Sequence, residues 1–268
     1  MASKKTWRAL AVLLLAPGSV AAGVRPYAFT YGTDILPDSM IELETWVDFK
    51  GPNLKRSRGT RWDFWVGPVM GFNENLEIGF YALVRQEPKS FASDVAPLQL
   101  NSLRLQVSYL LAPKGSWPVD VKLLGEIAAP AYRGKSTEGW LTAIVSRDFG
   151  KLNLTLNAGW WADFDFDGVP SNFYSENPVI HWQHNMIAAS YELPFGVRLG
   201  GEFFGEFRFA SGGCSRVGTG VCRTSRPYYL GPSVGYAKGQ MWVSGALGFA
   251  TSKDASLRNG RIILGVVL

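Results

Sequence analysis

Apolar and polar side chains alternate at period two along most of this 268-residue chain. In the first such segment Ile41, Leu43, Thr45, Val47 and Phe49 share one face, and Glu42, Glu44, Trp46 and Asp48 share the other. The same rhythm recurs around Trp62–Met70, Leu76–Arg85, Ser102–Tyr109, Val119–Ile127, Leu152–Trp160, Val197–Phe209, Tyr228–Tyr236, Met241–Phe249 and Arg261–Leu268. Successive side chains on a strand point to opposite faces, so each segment predicts a strand with one oily side. Trp140–Phe149 and Val179–Leu193 also predict strands, although neither alternates cleanly enough to assign a face. The total is about 12 strands, each near the ~10 residues that a tilted strand needs to cross hydrocarbon.

A soluble sandwich has the same period with its oily faces turned inward, so the connections must decide. Short turns (Asn73–Asn75, Ala112–Pro118, Gly150–Lys151, Pro194–Gly196, Ala237–Gly239) alternate with longer loops (51–59, 87–97, 132–136, 163–178, 210–225, 251–257). Short periplasmic turns opposite long outer loops are the pattern of an outer-membrane barrel, and an even strand count leaves both termini on the periplasmic side. Phe49, Trp62, Phe64, Trp160, Phe207, Phe209, Tyr228 and Phe249 fall near loop ends; Phe72, Tyr109, Phe149 and Tyr236 fall near turn ends. Those positions predict two aromatic girdles at headgroup depth. The expected fold is therefore all-β: a closed, antiparallel, up-and-down transmembrane barrel over residues 39–268, in which closure removes the bare strand edges that lipid would punish.

The N-terminus adds an address. Lys4, Lys5 and Arg8 precede the short apolar run Ala9–Leu15, and Val20-Ala21-Ala22 offers a small-residue cleavage site. Residues 1–22 are expected to be a signal peptide, leaving 23–38 as a periplasmic N-terminal segment. The leader accounts for three of the five net positive charges, so the mature chain gives no case for nucleic acid. Cys214 and Cys222 lie in a Gly/Ser-rich stretch and, in an oxidising compartment, are expected to close one disulfide.

The lead Arg25–Pro37, followed by Met40-Ile41-Glu42-Leu43-Glu44-Thr45-Trp46, is similar to the start of transporter barrels linked to the meta pathway of phenol degradation. The resemblance rests on that stretch and on the strand–turn rhythm through residue 268. It implies passive or facilitated passage of small molecules and carries no catalytic residues. Where many such barrels end on an aromatic residue read by the barrel-assembly machinery, this chain ends on Leu268.

The face opposite the oily one carries Glu42, Glu44, Asp48, Arg61, Asp63, Glu77, Arg85, Arg104, Lys122, Glu126, Arg198, Glu202, Glu206 and Arg208. Unpaired in a dry core these would cost several kcal/mol each; facing a lumen, or one another, they are tolerated. They are expected either to line a narrow path for small solutes or to lock into a salt-bridge plug that makes the barrel a non-conducting structural or surface component. About 12 strands lies between filled eight-strand barrels and open 16-strand porins, so size does not choose. An outer-membrane hydrolase is the third reading. His181 and His184 are the only histidines and, three apart on a strand, point to opposite faces, so no catalytic residues, metal or cofactor are expected. Lys55, Arg56, Arg58, Arg133, Lys135, Arg216 and Arg223 on the loop side suit lipopolysaccharide, and the acidic Asp163–Gly168 loop is read as solvated rather than as a calcium site.

Overall fold

The computed structural model describes residues 25–52, 59–86, 98–131, 136–164, 179–208, 227–252, 256 and 258–268, without the side chains of 179, 180, 207 and 208. Twelve strands follow in order: β1 (Ile41–Lys50), β2 (Arg61–Asn73), β3 (Leu76–Gln86), β4 (Gln99–Leu110), β5 (Asp120–Pro130), β6 (Thr137–Phe149), β7 (Leu152–Phe164), β8 (Val179–Glu192), β9 (Val197–Arg208), β10 (Tyr228–Lys238), β11 (Met241–Ala250) and β12 (Arg258–Val267). Each pairs antiparallel with its sequence neighbour, and β12 returns to β1 in a register running from Glu42 opposite Val267 to Lys50 opposite Asn259. The sheet is closed and has no edge. The two strands whose facing the sequence left open now have one: Thr142, Ile144 and Ser146 of β6 and His184, Ala188 and Ser190 of β8 are buried inside. A buried isoleucine on the polar face of β6 is what blurred its alternation.

The oily faces look outward. Leu103, Leu141, Ile187 and Leu230 are each more than half exposed, while Asn157, Ser108, Glu202 and Ser244 on inner faces are fully buried. This is a soluble protein's arrangement reversed, and an apolar belt of that extent is stable only against lipid. No described helix is long and apolar enough to cross a membrane. Exposed aromatics gather at both ends of the strands, with Trp62, Trp160 and Phe249 toward the loops and Phe72, Tyr109, Phe149 and Tyr236 toward the turns. Phe209 and the Phe207 side chain lie outside the described residues.

Two Gly-Pro pairs interrupt the ladders. Gly67-Pro68 in β2 and Gly231-Pro232 in β10 fall in gaps of the registers with β3 and β11. Proline lacks the N–H that a central strand would donate. Beside it, the neighbouring strand comes so close that a Cβ on Gly67 would lie 1.7 Å from the Phe80 carbonyl oxygen, and one on Gly231 1.7 Å from that of Leu247. Each glycine thus permits the pinch that its proline leaves in the ladder.

The interior is not purely polar. Leu36, Trp46, Trp65, Val69, Tyr81, Leu83, Trp242, Ile263 and Val267 form one buried apolar cluster, and Phe29, Phe204 and Tyr229 a second. Leu36 and Phe29 belong to the segment before β1. Residues 25–36, within the stretch 23–38 expected as a periplasmic lead, pack inside the turn half of the barrel.

Candidate functional site

The segment 25–37 has no regular secondary structure, so its backbone must find partners elsewhere. The barrel wall supplies them. Glu202, in the middle of β9, accepts three consecutive backbone N–H groups, from Ala28 at 2.8 Å, Phe29 at 2.8 Å and Thr30 at 2.7 Å. Asn157 of β7 closes a two-way pair with Tyr31, accepting its N–H at 2.7 Å and donating to its carbonyl at 2.8 Å. Tyr27 donates its hydroxyl to the Asn153 side chain at 2.7 Å, and Glu77 accepts the Leu36 N–H at 3.0 Å.

Side chains then bind the two ends. Arg25 makes a bidentate pair with Glu44 at 2.9 and 3.1 Å, and its carbonyl accepts from the Ser244 hydroxyl. Lys122 donates to the Asp34 carbonyl at 2.9 Å, and Lys114, in the turn before β5, pairs with the Asp34 carboxylate. Burial works against the Lys114 ammonium, but Asp34 first, and then Asp148 and Asp120, outweigh it and hold its pKa above the ordinary lysine value. The contacts trace a loop. From residue 37 the chain, read backwards, rises from the turn end, bends at Phe29–Tyr31 beside Phe204, and returns to Asn153 and Glu44. It fills the turn half of the lumen.

Above that bend lies a cavity of about 380 Å³, floored by Phe29 and Tyr31. Its wall carries a continuous stack. Arg104 lies 4.2 Å from the ring centre of Trp65 and 4.4 Å from that of Trp140; Trp140 stacks on Trp161 at 5.6 Å, and Trp161 on Trp182 at 5.0 Å. The register sets this order, because Trp140 stands opposite Trp161, and Trp161 opposite Trp182. A second stack runs from Trp46 through Arg261, 4.9 Å from its ring and from that of Phe29, to Phe204 at 3.9 Å and Tyr229 at 5.2 Å. The segment's own Phe29 completes it.

The charged positions singled out from the sequence fall into three groups. Arg25 and Lys122 face Glu44 and Glu77 around the seated segment, with Glu42 buried beside them and Glu202 clamping its bend. Around the cavity Arg261 pairs with Asp48 at 2.6 Å, Arg85 and Arg61 share Asp63 at 2.7 and 3.0 Å, and Arg104 pairs with Glu126 at 3.2 Å. Glu206 also lines the cavity, whereas Arg198 pairs with Glu192 at the turn end, 2.6 Å away. The Arg208 side chain, both cysteines, the basic loop residues Lys55, Arg56, Arg58, Arg133, Lys135, Arg216 and Arg223, and residues 165–168 of the acidic loop lie outside the described residues. Of the histidines, His181 stacks on the outward-facing Trp160 at 5.4 Å, and His184 points inward with its Nε2 2.8 Å from the Thr142 hydroxyl. Both members of that inner pair are largely buried and border the cavity. Among the described residues no group of three or more His, Cys, Asp or Glu side chains is placed to hold a metal ion.

Twelve strands, a largely polar interior, an oily exterior and the segment before β1 inside the lumen are together a specific geometry to compare. No family model matches the chain, and no curated protein matches its sequence. Solved structures do. An outer-membrane channel from Pseudomonas putida F1 aligns with a TM-score of 0.61 at 11% identity, over 88% of this chain and 98% of that one. The chain has the fold of that outer-membrane barrel. The NanC porin (TM-score 0.52, 8% identity, 84% and 98% of the chains) and the translocator domain of the autotransporter NalP from Neisseria meningitidis (0.53, 13%, 85% and 87%) share it. At such identities the likeness belongs to the architecture.

Within that architecture, two features escape a reading of the sequence alone. The inward tryptophans sit on the polar side of an alternation, where they look like ordinary strand residues. The seated segment has partners up to 233 positions away, and the bonds from its backbone N–H groups to side-chain oxygens leave no periodic trace. The one available signal was the density of carboxylates and amides on inner faces, more than the inner cations require.

Proposed function

We propose that this chain is an outer-membrane channel for small solutes, closed on its periplasmic side by its own N-terminal segment. The observation that carries the reading is the division of the lumen: the turn half is filled by residues 25–37, and the loop half holds a cavity lined by charge and aromatic rings. A purely structural barrel needs no such cavity, and a dry one would not place so many ionised side chains inside. The likeness to barrels described as a channel and a porin supports the same reading. In this proposal residues 1–22 leave as a signal peptide, Cys214 and Cys222 form a disulfide in an outer loop, and the barrel-assembly machinery inserts the chain. The basic loop residues then face lipopolysaccharide, and no step is enzymatic.

Planar-bilayer recording of the purified protein tests it. We expect small, infrequent openings from the native chain and larger, sustained ones from Glu202→Gln, which removes the charge at the bend and turns one of its two acceptor oxygens into an N–H donor. Silence from both, at any voltage, would instead support a non-conducting barrel locked by the same contacts.

A further inference from the structure

Most charges lining the loop-side cavity are matched, and the exceptions are spatially sorted. Asp48, Asp63 and Glu126 each hold a guanidinium. Lys50, at the loop end of β1, has no ion-pair partner among the described residues. It stands opposite Arg61 in the register, and Arg61 has only a share of Asp63, which also holds Arg85. Arg61 further keeps a buried Nε–H without an acceptor. This corner of the cavity is therefore cationic.

Glu138 on β6 and Glu206 on β9 also line the cavity and likewise make no direct ion pair among the described residues. They bracket the inward tryptophans of β6, β7 and β8; Glu138 feels the charges of Arg104 and Arg85 ahead of that of Glu206, and Glu206 in turn lies within electrostatic reach of Lys50. β1 is separated from β9 by three strands and from β6 by four, so the acidic wall faces the cationic corner across the lumen. A cavity whose opposed groups sense one another without meeting in a direct ion pair has a transverse field, and low-dielectric aromatic walls focus it. A simple anion would satisfy Lys50 and Arg61 but approach two carboxylates; a simple cation would do the reverse.

We propose that this cavity binds a small zwitterion, with its carboxylate toward Lys50 and Arg61, its ammonium toward Glu138 and Glu206, and an apolar, flat body along the edge of the Trp140–Trp161–Trp182 stack. The cavity, at about 380 Å³, is large enough for a free amino acid with some water and too small for a folded peptide. The assignment names the solute class of the channel proposed above and rests on that reading, but it is tested by binding rather than by flux.

Three probes share one body and differ in charge: L-phenylalanine, 3-phenylpropionate and 2-phenylethylamine. Each is titrated calorimetrically into the full-length protein in an uncharged polyoxyethylene detergent. We expect L-phenylalanine to bind about tenfold or more tightly than either singly charged analogue. Lys50→Gln should abolish its advantage over the amine, and Glu138→Gln with Glu206→Gln its advantage over the carboxylate. Heat-modifiable gel mobility checks that each variant still folds. Equal affinity for the three probes, or no saturable binding by the folded native protein, overturns the assignment. Selective binding by a barrel that is silent in bilayers keeps the site and removes the channel, so the two failures are distinct.

Discussion

Two carboxylates in the lumen look alike in sequence and do different work. Glu44 takes the Arg25 guanidinium and also the Trp46 indole N–H at 2.9 Å and the Tyr81 hydroxyl at 2.7 Å. It therefore ties the segment to the barrel and one part of the barrel to another. Glu202 spends both oxygens on the segment's backbone alone. Hydrogen bonds to a charged group contribute about 1.5–3 kcal/mol, and a buried charge stripped of its partner costs about 3–5 kcal/mol. Glu202→Gln should accordingly favour the unseated segment by about 2–4 kcal/mol, raising channel open probability while leaving the barrel's urea midpoint in liposomes nearly unchanged. Glu44→Gln should raise open probability and lower that midpoint as well, because Trp46 and Tyr81 lose an ionised acceptor. Equal effects of the two variants on the unfolding midpoint would contradict this division.

At the scale of the strand, one parity governs everything. On β7, Leu152, Leu154 and Leu156 are exposed to the outside, whereas Asn153, Thr155 and Asn157 are buried within. A charge on the outer face costs about 2–4 kcal/mol at the bilayer midplane and about 0–1 kcal/mol near the interface. Leu156→Arg, well inside β7, should thus destabilise the folded barrel by about 2–4 kcal/mol, and Leu152→Arg, at its turn end, by about 1 kcal/mol or less. Urea titration of tryptophan fluorescence in liposomes reads both, and similar costs at the two positions would place the hydrocarbon elsewhere. This parity is why strands, turns and barrel closure were legible in the sequence: each needs only local alternation and connection length. The site was legible only in part. Ionised residues on the inner parity announced a polar lumen, but Trp65, Leu83 and Phe204 on that same parity did not announce apolar clusters. Nor did any local pattern in 25–37 foretell bonds to Asn153, Asn157 and Glu202, since those partners meet only after the barrel has closed.

For the whole molecule, closure of the lumen depends on several attachments that act together. The segment is held by Glu44 and Ser244 at one end, by Glu202 and Asn157 at its bend, and by Glu77, Lys122 and Lys114 at the other end. Of these, Lys114–Asp34 is the most exposed, and it lies in a turn rather than in a spanning strand. It can therefore be titrated with little disturbance to the rest. The Lys114 pKa is raised in the seated state; burial opposes the shift, but Asp34 prevails. A group with a raised pKa contributes fully below its free value, here 10.5, and loses that contribution as pH climbs through the higher seated value. The attachment should consequently be intact across neutral pH and fail only in alkali above that point. Solvent screening keeps the gain modest, so it should release one end of the segment rather than empty the lumen. In diether-lipid bilayers, which survive alkali, open probability of the native channel should stay flat to about pH 10 and rise beyond it. Lys114→Met should show the higher level at all pH values and no such step. A step of equal size in Lys114→Met would trace the alkaline response to other groups in the lumen and leave Asp34 without a role in closure.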